Sequence, residues 1–314
     1  MAHLINSMAY TNTTPWHGLG NRLTEKQPIE VWAEQAGMNW KIRQSPVYFH
    51  SQERTSVLYP DHQVLFRSDT EQALSVVSSR YQVVQPREIL EFYRDLTEAG
   101  GFELETAGVL KGGRKVWALA KTNQSAAIKR NDIVNGYLLL ATACDGTLAT
   151  TAQFTSVRVV CNNTLAVALT NGTGAIKVPH STAFNAETVK KQLDISVSSW
   201  DRFIYRMKTL SERKVTNQEA ENFIRRLFNE IASTPNTVNG RAMKKVRELY
   251  DGGGRGAELS SAKGTVFGLL NAVTEYVDHE RRARSQDHRL DSAWFGAGAV
   301  LKQKSLGQAM LLVQ

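Results

Sequence analysis

The chain has 314 residues, of which 42% are apolar and 22% charged, as in an ordinary globular protein. Its 38 Lys and Arg residues exceed its 30 Asp and Glu residues, and the resulting formal net charge of +8 favours a polyanionic partner such as nucleic acid. No apolar run approaches the roughly 20 residues of a membrane-spanning helix, and the N-terminus lacks the pattern of a signal peptide. We therefore expect a cytoplasmic protein without a membrane partner.

Apolar periodicity predicts short helices and strands in the N-terminal third of the chain. A helix over Pro28–Ala36 stops before Gly37, the residue type that favours the position after a helix end. The next predicted strands are Asn39–Phe49, Ser56–Leu65 and Tyr81–Val84, with a turn at Pro60–His62. The next predicted helices are Asp69–Val77 and Pro86–Ala99.

The centre of the chain is rich in predicted strands. Lys111–Arg114 and Asp145-Gly146 are typical hairpin turns, because glycine supplies the positive φ that such turns need. The strands beside these turns are Leu104–Leu110, Lys115–Lys121, Asn135–Ala143 and Thr147–Phe154. Asn162 or Asn163 then caps a predicted short helix over Thr164–Leu169.

Beyond residue 186 the apolar period changes from two to 3.6, which predicts helices. One long helix runs from Val189 to Leu210, and Thr216 with Glu219 forms a capping box for a helix through Ile231. Further helices are predicted at Arg241–Tyr250 and Gly264–Glu280, while the pattern over Asp291–Gln314 is ambiguous. The fold prediction is α+β, with an antiparallel hairpin sheet in a β-rich region over residues 1–186 and a helical region over residues 187–314.

No sequence pattern joins a nucleophile to a base or spaces metal ligands on one face. Gly252–Gly256 follows a helix and lacks the Lys-Ser/Thr pair of a phosphate loop. His279 and His288 lie nine residues apart, unlike the i, i+4 pair of a helical metal site. Cys144 and Cys161 are interpreted as buried thiols. We expect no catalytic residue, metal or cofactor, and the rival from the enzyme class is a metal-dependent enzyme that uses His17, His279 or His288.

Positive charge gathers in the central strands, where no acid occurs between Glu105 and Asp132. Basic and aromatic residues alternate there, as in proteins that stack bases on aromatic rings inside a positive groove. The alternative interpretation is that each aromatic ring packs in the core. Arg158 stands in an apolar run, so it either pairs with an acid or points at a ligand phosphate. The predicted nucleic-acid-binding residues are Lys111, Arg114, Lys115, Trp117, Lys129, Arg130, Tyr137 and Arg158.

Four motifs resemble the phage/plasmid-like family that is filed as a domain of unknown function. They are Pro15–Gly20, Ser79–Pro86 (SRYQVVQP), Arg158–Leu165 (RVVCNNTL) and Gly264–His279 (GTVFGLLNAVTEYVDH). This resemblance implies an origin in a mobile element of a bacterial host, and it implies no activity. Two hairpins followed by a long helix, with basic residues on the sheet, also resemble Rad-fifty-two-type annealing proteins, which implies rings that hold single-stranded DNA by its backbone.

The sequence therefore predicts a single-stranded DNA-binding and annealing protein of a phage or plasmid. It is expected to be a homo-oligomer, with a ring as the form that the annealing resemblance implies, and to act without catalysis. The alternative is a mobile-element protein that counters a host defence by binding a host protein.

Overall fold

The structure is a computed structural model that describes residues 5–11, 20–98, 100–160, 162–167, 175–193, 197–229 and 237–314. The chain divides into two units. The first unit comprises Met1–Asn123, Leu138–Gln153 and Ala175–Asp194, and the second comprises Gln124–Tyr137, Phe154–Gly174 and Ile195–Gln314. The second unit thus takes two segments from the centre of the chain, whereas the sequence suggested one boundary near residue 186.

The strands of the described residues form two sheets. The strands are β1 (Ile5–Tyr10), β2 (Asn21–Arg22), β3 (Ile42–His50), β4 (Ser56–Arg67), β5 (Ala73–Ser78), β6 (Glu103–Leu110), β7 (Lys115–Ala127), β8 (Ile133–Ala143), β9 (Thr150–Arg158), β10 (Asn163–Ala166) and β11 (Ile176–Val178). One sheet has the order β10-β9-β8-β7-β6-β1-β2, with β11 also paired to β9, and the other has the order β3-β4-β5. The pairs β6–β7 and β9–β10 and the whole three-stranded sheet are antiparallel, whereas β1 and β2 are parallel.

Helices dominate the C-terminal part of the chain. The helices of the described residues are α1 (Ile29–Gln35), α2 (Pro86–Glu91), α3 (Arg94–Glu98), α4 (Ala186–Leu193), α5 (Val197–Glu212), α6 (Asn217–Asn229), α7 (Thr237–Glu248), α8 (Val266–Glu275), α9 (Gln286–Phe295) and α10 (Ala297–Leu311). The π-helical turns Leu249–Gly253 and Tyr276–Glu280 extend α7 and α8. The predicted α+β class, with antiparallel strands and a helical C-terminal region, is confirmed. The single helix predicted from Val189 to Leu210 corresponds to α4 and α5.

Two predicted helices are strands, because pairing with a neighbouring strand decides their conformation. Residues 73–78 form β5 along β4, and Leu74 and Val77 are buried there. Residues 163–166 form β10 along β9, with Asn163 opposite Arg158. Asn162 does not cap a helix, since its φ of 54° places it in the turn before β10.

Two further predictions in the first unit are corrected. The turn expected at Pro60–His62 lies inside β4, where Asp61 has a φ of 60° and the register with β3 shifts. The helix expected over Pro86–Ala99 is divided into α2 and α3. Between them the buried Tyr93 turns its hydroxyl towards the sheet and donates to the carbonyl oxygens of Ala118 and Leu138 at 2.9 and 3.0 Å.

The Ser79–Pro86 motif fixes an irregular segment of the first unit rather than the predicted strand. The Tyr81 ring stacks on His180 with 4.5 Å between ring centres, and its hydroxyl donates to the carbonyl oxygen of Ala143 at 2.8 Å. The Gln85 side chain accepts from the backbone N–H of Ile42 at 2.8 Å and donates to the Ile42 carbonyl at 3.1 Å. These contacts assign a structural role to the motif, since paired polar groups hold a segment that lacks strand hydrogen bonds.

Candidate nucleic-acid interface

Half of the predicted binding residues are buried and do not face solvent. Lys115, Trp117, Tyr137 and Arg158 are each at most 5% exposed. A phosphate group or a base cannot reach side chains at this depth, so their assignment as nucleic-acid contacts is corrected. The alternation of basic and aromatic residues misled the prediction because β7 is buried on both faces over its first six residues.

The other predicted residues lie in two turns, one in each unit. Lys111 and Arg114 belong to the turn between β6 and β7 in the first unit, where Lys111 is half-buried and Arg114 is exposed. Lys129 and Arg130 are exposed in the turn between β7 and β8 in the second unit. Each unit therefore contains one pair of these four residues.

Arg158 is the centre of a buried hydrogen-bond network in the second unit. Its Nε and Nη2 atoms donate to the two carboxylate oxygens of Asp132, each at 2.7 Å, and neither side chain is more than 4% exposed. Nη2 also donates to the carbonyl oxygen of Gly256 at 3.1 Å, and the Ser261 hydroxyl donates to Asp132 at 2.5 Å. The guanidinium group lies 5.3 Å from the centre of the Phe267 ring. Of the two roles that the sequence allowed, pairing with an acid is correct.

A second buried ion pair in the same unit joins α10 to the π-helical turn Tyr276–Glu280, and both of its residues also bond to Thr164 of β10. Lys302 Nζ lies 2.8 Å from Asp278 and donates to the Thr164 hydroxyl at 2.6 Å, while Asp278 accepts from the Thr164 backbone N–H at 2.7 Å. Both charged side chains are 6% exposed. Nearby, the Asn163 amide donates to the Asn271 carbonyl at 3.3 Å. A bidentate or multiply bonded ion pair of this kind holds its elements in one arrangement.

The family-like motifs supply these buried groups. The Arg158–Leu165 motif provides the guanidinium, amide and hydroxyl groups, and the Gly264–His279 motif provides Asn271 and Asp278. The cavity that lies among them measures about 20 Å³, which is room for about one water molecule. Such a space supports a positioning role for the network. Residues 15–19 of the Pro15–Gly20 motif, which include Trp16 and His17, lie outside the described residues, as does Cys161.

The Arg158 network positions an exposed surface that we name the basic tip and define as Lys129, Arg130, Val159, Val160 and Arg255. Asp132 closes the Lys129–Arg130 turn, because its N–H donates to the Lys129 carbonyl at 3.1 Å. The backbone N–H of Val159 donates to the carbonyl of Ile133, the next residue, at 3.0 Å. Val160 abuts Gly256, where a Cβ atom would lie 2.8 Å from Val160 Cγ1.

All five residues of the basic tip are exposed, including both valines at 51% and 43%. Sequence reasoning missed Arg255 and the valine pair, since their partners lie far away along the chain. It also missed Asp132, although this acid marks the end of the acid-free stretch that begins after Glu105. The position of Asp132 at the end of this stretch was the one sequence feature that pointed to it as the partner of Arg158.

The excess of positive charge belongs entirely to the second unit. This unit contains 22 Lys and Arg residues against 14 Asp and Glu residues, whereas the first unit contains 16 of each. The formal charge of +8 is therefore that of the second unit alone. A polyanion is attracted to such a surface by the summed field as well as by single contacts.

The carboxylate of Glu275 holds the backbone of the basic tip at Arg255. Both of its oxygens lie 3.0 Å from the Arg255 backbone nitrogen, and burial of the carboxyl raises its pKa, partly offset by this hydrogen bond. A raised pKa in the folded protein means that the neutral carboxyl stabilises the fold. This contribution is present below the ordinary pKa of Glu and is lost as the pH rises through the raised value.

We therefore expect Glu275→Gln to increase the free energy of unfolding at about pH 8, because the amide carries no charge to bury. The advantage over the parent chain should vanish below about pH 3, where Glu275 is protonated in the folded and the unfolded chain. Urea unfolding of both proteins across this range measures the difference. A difference that does not change with pH would show that the charge of Glu275 is not what burial penalises.

The sequence also left open a metal-dependent enzyme, which would use one of three histidines. His288 Nδ1 lies 2.7 Å from the Ser285 hydroxyl at the start of α9, and His17 lies outside the described residues. Within the part of the chain that the structure describes, no group of three or more His, Cys, Asp or Glu side chains is placed to hold a metal ion.

Burial raises the pKa of the Cys144 thiol to about 12. None of the described helices has the length and apolar content to cross a membrane.

Comparison with known proteins identifies a family whose description assigns no activity. The sequence matches the family described as Domain of unknown function (DUF932) over residues 73–294. No curated protein and no solved structure matches the chain. The matched region includes the segment around Tyr81 and both motifs of the buried network. The chain therefore belongs to the DUF932 family.

Proposed function

We propose that this chain is a single-stranded DNA-binding protein that promotes annealing, and that it binds through its second unit without catalysis. The observation that carries the proposal is the location of all net positive charge in that unit. Three exposed cations of the basic tip, Lys129, Arg130 and Arg255, are held on a rigid buried network. Rigid placement lowers the entropic cost of binding a flexible strand.

The binding mechanism of the proposal is electrostatic. Each phosphate that a Lys or Arg side chain neutralises releases condensed counterions, so the affinity falls as salt increases. Because the contacts are to the backbone, the bases stay available for pairing with a second strand. This availability is what annealing requires.

The proposal includes a phage or plasmid origin, action in the cytoplasm and self-association. The three-stranded sheet offers a surface for self-association, because Phe49, Tyr59 and Val76 are 46–58% exposed. Phe49 lies on the same face of the sheet as Val57, its partner in the neighbouring strand. Tyr59 shares this face because it lies two residues beyond Val57 on β4. Contiguous apolar patches of this kind mark contacts between proteins.

The same apolar face favours a second candidate, a mobile-element protein that binds a host protein to counter a defence. The two candidates predict different masses. Self-association predicts that the purified chain alone exceeds the monomer mass of 35.0 kDa, and that Phe49→Ser with Tyr59→Ser returns it to a monomer. A monomer that binds no DNA and forms a one-to-one complex with a host protein would favour the second candidate.

Removing the three cations of the basic tip tests the proposal. We expect Lys129→Ala, Arg130→Asn and Arg255→Ala together to reduce the slope of log affinity against log salt by about 2, at roughly 0.7 per phosphate contact on a single strand. Asn is chosen at Arg130 because the backbone there has a φ of 50°, which Asn tolerates. Fluorescence anisotropy of a labelled oligonucleotide measures the slope.

A matched control removes the same charge from the first unit. Lys41, Lys177 and Lys191 are exposed there, and changing all three to Ala should leave the slope unchanged. Equal slopes for the two triple variants would contradict the placement of the phosphate contacts on the basic tip.

A further inference from the structure

Tyr205 is the most exposed of the large apolar side chains that the structure describes. It lies on α5 and is 72% exposed. Phe203, Ile204 and Met207 on the same helix are buried, so the packing face of α5 does not include the tyrosine. The ring is therefore presented to solvent by a helix that is itself fixed in the second unit.

Cations surround this ring at helical spacing. Arg202 precedes Tyr205 by three residues and Lys208 follows it by three, which places both beside the ring on the helix surface. Arg206 is the adjacent residue, and all three cations are exposed. Asp201 lies four residues before the tyrosine and is the acid on that side. The local excess is thus two positive charges around one exposed aromatic ring.

We propose that Tyr205 stacks on an unpaired base of a single strand, while Lys208, which lies beside the ring at helical spacing, contacts a neighbouring phosphate. The proposal rests on the proposed function and deepens it by naming the base-contacting residue. Among the described residues of α5, the exposed side chains within four positions of Tyr205 are one acid and three cations, and none is apolar, so they complement a nucleic acid and not an apolar protein surface. A single strand fits because in a duplex the faces of the bases are covered by their neighbours, whereas exposed bases stack on aromatic side chains.

The test uses an oligonucleotide that carries a fluorescent adenine analogue whose emission is quenched when it stacks. Tyr205→Ala should weaken binding by about five- to 150-fold, which corresponds to 1–3 kcal/mol per stacked base, and should abolish the protein-induced quenching. Tyr205→Phe should retain both affinity and quenching, because it keeps the ring. Leu311→Ala, which removes another exposed apolar side chain of the second unit, should change neither.

The salt slope separates stacking from phosphate contacts. Tyr205→Ala should keep the slope of the parent chain, since no charge is removed. Unchanged affinity of Tyr205→Ala, together with weakened binding by the variant of the basic tip, would overturn this inference and leave the proposed function standing. A loss of affinity in Tyr205→Phe equal to that in Tyr205→Ala would also overturn it. Absence of binding by the parent chain would overturn the proposed function and the inference together.

Discussion

Replacing Arg158 by Ala is expected to lower the free energy of unfolding by about 3–5 kcal/mol. The substitution leaves the carboxylate of Asp132 buried at 0% side-chain exposure, with the Ser261 hydroxyl and without its bidentate partner. It also removes the hydrogen bond to the Gly256 carbonyl. Since domains are stable by only about 5–15 kcal/mol, this is a large share of the total. Urea unfolding followed by circular dichroism measures the loss.

The control for this prediction replaces both charges. Arg158→Met with Asp132→Leu should recover most of the stability, because removing a whole buried ion pair leaves no uncompensated charge. A loss below about 1 kcal/mol for Arg158→Ala, combined with weaker DNA binding by the folded variant, would identify Arg158 as a ligand contact. That result would restore the prediction that Arg158 contacts nucleic acid.

Replacing Lys302 by Met is expected to cost a similar amount, about 3–5 kcal/mol. The thioether matches the length of the lysine stem, so the change removes charge and hydrogen bonds more than volume. Asp278 would remain buried with the Thr164 backbone N–H and hydroxyl as its donors, and the Thr164 hydroxyl would lose the donor Lys302. The midpoint of urea unfolding should fall without a change in the slope of the transition.

Lys304 provides the matched control on the same helix. It is exposed two residues beyond Lys302, and Lys304→Met should change the free energy of unfolding by no more than about 0.5 kcal/mol. Similar losses for the two variants would indicate that the length of the side chain in α10, and not its buried charge, decides stability.

Local signals in the sequence predicted those elements whose hydrogen bonds are local. The capping box of α6 is present as predicted, with the Thr216 N–H donating to Glu219 at 2.8 Å and the Glu219 N–H donating to the Thr216 hydroxyl at 3.2 Å. The glycine turns before β7 and β9 also follow the prediction, since Gly112 and Gly146 have φ values of 72° and 75°. Interactions within four residues are sufficient to specify such features.

Elements that depend on distant partners were not predictable in the same way. The conformation of β5 and β10 is decided by pairing with β4 and β9, which overrides the helix-like pattern of residues 69–77 and 164–169. Arg158 meets Asp132 across 26 residues and Gly256 across 98, so the sequence alone left its partner open. The net charge was visible in the composition, but its assignment to one unit required knowing that Gln124–Tyr137 and Phe154–Gly174 belong with the C-terminal helices.

The affinity of the full chain for a labelled single-stranded oligonucleotide, measured across a salt series, tests the central claim most directly. The proposal predicts that log affinity falls linearly with log salt. The slope should be about −2 or steeper, because phosphate contacts by the three cations of the basic tip each release counterions. Salt-insensitive binding, or no binding at low salt, would contradict the claim that the positive charge of the second unit serves to hold a single strand.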